Sequence, residues 1–106
     1  MKKFDELDKD IIWVLSQNNG LSTWKIASML NEQEPKVRYR VMEMVKLGFV
    51  KKTKNGFVLN PKRVIVSEDV LILMTEKGFW AWTSERVDTE RLVSLLKKEL
   101  AKENAS

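Results

Sequence analysis

Residues Leu21 to Gly48, LSTWKIASMLNEQEPKVRYRVMEMVKLG, read as two helices joined by a tight corner. Ser22 is a strong N-cap type, and Leu21 before it is placed to staple onto Ile26, so the first helix begins at Thr23. Ile26, Ala27 and Leu30 share one face at helical spacing. Asn31 is among the few non-glycine residues that tolerate the left-handed conformation, and it ends that helix. Pro35 suits the first position of the next helix, where its missing N–H is not needed; Val37, Val41, Met44 and Val45 form its buried stripe, and Gly48 closes it. With Val37 at zero on a wheel of about 100° per residue, Tyr39, Lys46, Glu43 and Lys36 lie opposite the stripe, and Arg38 and Arg40 lie at its edges.

The next stretch, Val50 to Leu59 (VKKTKNGFVL), carries a hairpin signal: a β-prone run, the Asn55-Gly56 pair that favours a type I′ turn, then Phe57, Val58 and Leu59. Helix, corner, helix and hairpin in this order make a winged helix-turn-helix. Its second helix has a buried back and a front of Lys36, Arg38, Tyr39, Arg40 and Lys46, the makeup of a helix that enters a DNA groove. Thr23 and Lys25, in the first turn of the preceding helix, are assigned to the same surface. Lys51, Lys52 and Lys54 on the hairpin are placed to meet phosphates beside the groove.

Several of these residues carry a resemblance. Leu7-Asp8-Lys9-Asp10-Ile11-Ile12, then Leu21-Ser22 with Ile26-Ala27, then Pro35 through Gly48-Phe49-Val50, and finally Leu59-Asn60-Pro61 make about the first 61 residues similar to the N-terminal domain of Lrp/AsnC-type transcription regulators. The resemblance implies a DNA-binding winged helix with its second helix as the reader. The chain departs from the family pattern at Glu34, where serine is usual, and in a spacing from Pro35 to the first core valine that is one residue shorter.

Composition bounds the alternatives. At 106 residues with 43% hydrophobic content, the chain is one ordinary domain or a small domain with an appendage. Cysteine and histidine are both absent, which removes disulfides, thiol nucleophiles, histidine acid–base chemistry and Cys/His zinc sites. The expectation is a non-enzymatic protein with no cofactor and no metal. No signal peptide or membrane span is visible, so a cytoplasmic location is expected. The net charge of +4 is unevenly spread: residues 1–60 hold eleven Lys plus Arg against seven Asp plus Glu, and residues 61–106 hold eight of each. That asymmetry favours an anionic partner for the first part and another role for the rest. A charged fraction of 32%, rich in Lys and Glu, fits a thermophilic, archaeal-like source.

The first helix is expected over about Asp5 to Gln17, with Phe4, Leu7, Ile11, Val14 and Leu15 inward. Its acidic residues, Asp5, Glu6, Asp8 and Asp10, complement the helix dipole better than they suit a metal. Trp13 points about 240° away from Leu7, where the C-terminal part covers it, or a second subunit does, or it is simply exposed. Trp24 sits beside its helix's core face. Beyond a short strand at Arg63–Val66, Val70–Thr75 and Phe79–Thr83 read as a second hairpin with Gly78 in its three-residue connection. The competing reading makes Thr75 an N-cap and Phe79–Ser84 helical, against the strand preference of Phe, Trp and Thr and the helix cost of Gly78. Its first strand is apolar on both faces and needs two covers. Asp88 can cap a last helix, about Thr89 to Lys102, whose Leu92, Leu95, Leu96 and Leu100 cover one face. The other face, carrying Phe79/Ala81 or Trp80/Trp82, is the place for a twofold copy.

The fold class is therefore α+β, mostly helical: a winged helix-turn-helix over 1–61, then a β-hairpin and a C-terminal amphipathic helix over 62–106 as a dimerisation appendage. A homodimer binding double-stranded DNA as a transcription regulator is the functional expectation, with Trp13, Phe79, Trp80, Trp82, Leu92, Leu96 and Leu100 at the dimer interface. A small-molecule effector is conceivable but has no supporting motif. Glu32 and Glu34 beside the second helix's start would repel phosphate. They keep open a second reading, a winged helix that binds another protein in a transcription or replication assembly.

Overall fold

The computed structural model describes residues 4–67, 69–75 and 78–84, and six further positions between 90 and 98. Three helices come first, α1 (Glu6–Ser16), α2 (Thr23–Leu30) and α3 (Glu34–Lys46), followed by strands β1 (Val50–Thr53), β2 (Gly56–Leu59), β3 (Val64–Val66), β4 (Val70–Thr75) and β5 (Gly78–Thr83). β1 and β2 form the wing; β3, β4 and β5 form a separate antiparallel sheet in that order. This is a winged helix with an added three-stranded sheet. The helix expected over 89–102, with Leu92, Leu95, Leu96 and Leu100, lies outside the described residues apart from scattered positions.

The chain signals that punctuate the helices act as their chemistry requires. Ser22 caps α2 through its side chain, which accepts from the Lys25 N–H at 3.1 Å, and Asn31 leaves the helix in the left-handed conformation (φ 54°, ψ 47°). Pro35 is the second residue of α3 rather than its first, because Glu34 already has helical geometry. At the far end Gly48 (φ 84°) donates to the Val45 carbonyl and Phe49 donates to the Met44 carbonyl, the paired bonds of a Schellman ending. Phe49 is thereby driven into the core.

In the wing, register pairs Thr53 with Gly56, so Lys54 and Asn55 occupy the turn. Neither has a positive φ, which rules out the type I′ turn expected on Asn55-Gly56; Gly56 alone carries the positive value, 110°. The reason lies across the wing. Leu21 bridges to Phe57, its N–H donating to the Phe57 carbonyl at 3.1 Å and its carbonyl accepting from the Phe57 N–H at 2.7 Å. That third backbone segment runs so close that a Cβ on Gly56 would stand 2.7 Å from the Leu21 carbonyl. Asn60 then ties the wing's exit to the end of α3, its side-chain amide donating to the Gly48 carbonyl at 3.0 Å.

β4 is buried on both faces, as its apolar sequence demands. Leu71 and Leu73 pair across to Trp82 and Trp80 and join the core beneath α1; Val70 and Ile72, on the opposite face, are buried as well. The second hairpin is tighter than expected, since Thr75 pairs directly with Gly78. Trp80 packs on Phe4 with ring centroids 5.0 Å apart, and Phe4 reaches Phe49 at 5.9 Å. Lys9 lays its ammonium over the Trp82 ring, 4.1 Å from the centroid. Ile12, absent from the expected core face, is fully buried because the sheet covers a second side of α1.

Gly56 and Gly48 both have positive φ but differ in surroundings, since a Cβ on Gly48 would meet nothing within 4 Å. Gly48→Ala should cost about 1 kcal/mol from backbone conformation alone. Gly56→Ala should cost about 2–4 kcal/mol, strain and a backbone collision together. Urea unfolding of both variants measures the difference.

Candidate nucleic-acid interface

α3 is positioned by its two ends and one ionic joint. Val37, Val41 and Met44 are completely buried, which fixes the helix's rotation and turns Lys36, Arg38, Tyr39 and Met42 to solvent. Tyr39 is 65% exposed. The exposed cations of this face make only loose pairs: Lys36 with Glu32 at 3.8 Å, Arg38 with Glu34 at 3.6 Å and Lys46 with Glu43 at 3.4 Å. Pairs of this kind contribute about 0–1 kcal/mol and yield readily to a stronger anion.

Arg40 stands apart from its neighbours. Its guanidinium lies 2.9 Å from both the Asp5 and the Asp8 carboxylates, so it faces α1 and not the open surface. Asp5 and Asp8 also form a reciprocal capping box at the start of α1: the Asp8 N–H donates to Asp5 Oδ1, and the Asp5 N–H donates to Asp8 Oδ2, each at 3.1 Å. Asp8 is fully buried and Asp5 is exposed. Burial holds the Asp8 carboxyl above the usual range, against the downward pull of the Asp5 N–H and the Arg40 charge. At Asp5 the slight burial pushes upward too, but the Asp8 N–H and Arg40 outweigh it and the carboxyl is lowered. The acidic first turn is thus a clamp on α3 as well as a partner for the dipole of α1.

Thr23 and Glu34 form a second inward joint. Glu34 is buried, and its Oε2 accepts from the Thr23 hydroxyl, which ties the start of α3 to the start of α2. The carboxylate that threatened to repel phosphate therefore points into the helix corner, where it also faces Arg38. Thr23, assigned to the DNA surface from sequence, is turned inward with it. The roles of Asp5, Asp8 and Glu34 escaped the sequence reading; the Asp5-x-x-Asp8 spacing was the one legible signal.

On the wing, Lys51 shares a face with Val58, Lys52 shares the other with Phe57, and Lys54 sits at the tip. All three are exposed and make no ion pair among the described residues. Lys25 and Trp24 are exposed on α2, Trp24 at 71%. Lys25 on α2, Lys36, Arg38, Tyr39 and Lys46 on α3, and the three wing lysines are all exposed. Of the residues assigned to a dimer interface, Trp80 and Trp82 serve the chain's own core, Trp13 and Phe79 are exposed, and Leu92, Leu96 and Leu100 lie outside the described residues. Among the described residues no acidic group forms a metal-ligand set, and no helix is long and apolar enough to cross a membrane.

The linkage of the clamp has opposite signs at its two carboxyls. Asp5, with a lowered folded pKa, stabilises the fold above its unfolded value of 3.8, an effect lost as pH falls through the folded value. Asp8, with a raised one, favours the fold below 3.8, and that is lost as pH rises through its folded value. Arg40→Ala leaves Asp8 buried without its cation and should cost about 2–3 kcal/mol at pH 7, a buried-pair penalty reduced for Arg40's partial exposure. The penalty should shrink on acidification, as Asp8 takes up its proton. Urea unfolding of wild type and variant at pH 7 and near pH 3 checks both statements.

Residues 4–51 match the winged helix-turn-helix DNA-binding family, a little under half of the chain. Over 52 residues the chain is 33% identical to an uncharacterized HTH-type transcriptional regulator of Pyrococcus abyssi (strain GE5 / Orsay). That match covers 49% of this chain and 35% of the relative, so the chain spans about a third of that protein. No solved structure matches the chain. The match begins at Phe4, against which Trp80 packs, and ends in β1; over that span the chain has the winged helix-turn-helix fold and is similar to the DNA-binding family of that fold.

Proposed function

We propose that the chain is a sequence-specific, double-stranded DNA-binding transcription regulator of the Lrp/AsnC-like kind, acting as a homodimer. One observation carries this reading: the exposed Lys36, Arg38 and Tyr39 face of α3 stands in the same winged helix as three wing lysines that have no acidic partner among the described residues. In the proposed complex Lys36 and Tyr39 enter the major groove, Arg38 meets phosphate or a base edge, and Lys25, Lys46, Lys51, Lys52 and Lys54 line the backbone. Arg40 positions α3 through α1 and does not touch DNA. The twofold partner would meet the exposed Phe79 side of the sheet, so that two recognition helices read a near-palindromic site.

A second reading rests on apolar exposure in the same part of the fold. Trp24, Met29 and Met42 are all exposed, which suits a winged helix that docks on another protein.

Fluorescence anisotropy of a labelled duplex at several salt concentrations tests the first reading. Binding should weaken linearly on a log–log scale, with a slope of about −3 to −5 per subunit if about three to five phosphates are neutralised. Each of Lys51→Ala, Lys52→Ala and Lys54→Ala should reduce that slope by about one where its lysine meets phosphate, with the fold intact. A folded Lys36→Glu/Arg38→Glu variant that binds duplex as well as the wild type would favour the protein-docking reading.

A further inference from the structure

A cavity of about 320 Å³ opens between α1 and the three-stranded sheet, and none of its described lining residues belongs to α3 or the wing. Ile12 and Leu71 form its buried floor, Val66, Trp13 and Trp82 its sides, and Val70 at the start of β4 its edge. Two charged side chains stand at its edge. Lys9 is engaged twice, by Glu6 at 2.6 Å and by the Trp82 ring at 4.1 Å. Asp10 is exposed and makes no hydrogen bond or ion pair among the described residues, so its carboxylate is the uncommitted charge of the described lining. Trp13, 40% exposed, is an indole that the core does not use.

We infer that this cavity is a binding site for a small organic cation, an amine with an aromatic or branched apolar body. The apolar floor and two indoles receive the body, as in small-molecule sites of this size. Asp10 faces the ammonium. The Lys9 ammonium on Trp82 shows that this ring's face accepts positive charge, the same attraction by which aromatic walls hold alkylammonium ligands. An anionic ligand would find Lys9 already occupied and Asp10 opposed.

The site can be tested on the full chain without DNA, so its failure is distinct from failure of the DNA-binding reading. The probe is 2-phenylethylammonium, with 2-phenylethanol and 3-phenylpropanoate as its neutral and anionic counterparts. The readout is the NMR shift of the tryptophan indole N–H signals, assigned with single Trp→Phe variants. The cation should move Trp13 and Trp82 but not Trp24, and should bind about tenfold more tightly than either counterpart. Asp10→Asn, at an exposed side chain with no hydrogen bond or ion pair among the described residues, should bring the cation down to the neutral probe's affinity. Lys9→Met, which removes the competing ammonium, should strengthen its binding. Equal or tighter binding of the anion, an unaffected Asp10→Asn variant, or no movement at Trp13 and Trp82 would overturn the assignment. So would signals that move on dilution of the protein alone and ignore the cation, the mark of a second copy in the cavity.

Discussion

The buried Asp8 carboxylate and its grip on Arg40 set the geometry on which the rest depends. A winged helix presents its reading helix correctly only if that helix is fixed both in rotation and in tilt. Rotation is fixed by Val37, Val41 and Met44, which leave the apolar core if the helix turns. Tilt is fixed by an ionic joint at 2.9 Å, in which two carboxylates already oriented by a capping box meet one guanidinium. A planar, forked cation suits that task better than lysine, because it can address both acids from one position.

The Thr23–Glu34 joint follows the same logic at the other end of α3. Glutamate has the length to reach back to α2, and burying it there requires hydrogen bonds to satisfy its oxygens. The result separates charge by depth: the structural ions lie inside the helix corner or against α1, and the cations at the surface are left in weak pairs. A net charge of +4 therefore understates how positive the outer face is.

Local signals made most of the first half legible. Ser22, Asn31 and Gly48 each carry a conformational preference strong enough to mark a helix end without knowledge of the neighbours. The wing turn was misjudged because Asn55-Gly56 has an intrinsic preference that the approach of Leu21 overrides, and nothing in the local sequence announces that approach. The pairing of Arg40 with α1 was hidden for a related reason. A helical wheel ranks residues by angle from one buried stripe, whereas Arg40 is claimed by a partner 32 residues away in the chain. Ile12 belongs with these cases: one-sided amphipathicity cannot show that a helix will be covered twice.

That double coverage of α1 makes the core continuous across the boundary drawn at residue 61. Ile11, Val14 and Leu15 serve the winged helix, while Ile12 and the Phe4–Trp80 contact serve the junction with the sheet. Cutting the chain after the wing would expose fully buried Ile12 along with Phe4, at about 2–3 kcal/mol for each large apolar side chain uncovered. In chain terms the contacts among the three helices span short loops, whereas those of the sheet with α1 join residues some sixty to seventy positions apart, about 70 for Lys9 and Trp82, and carry the larger loop-closure entropy.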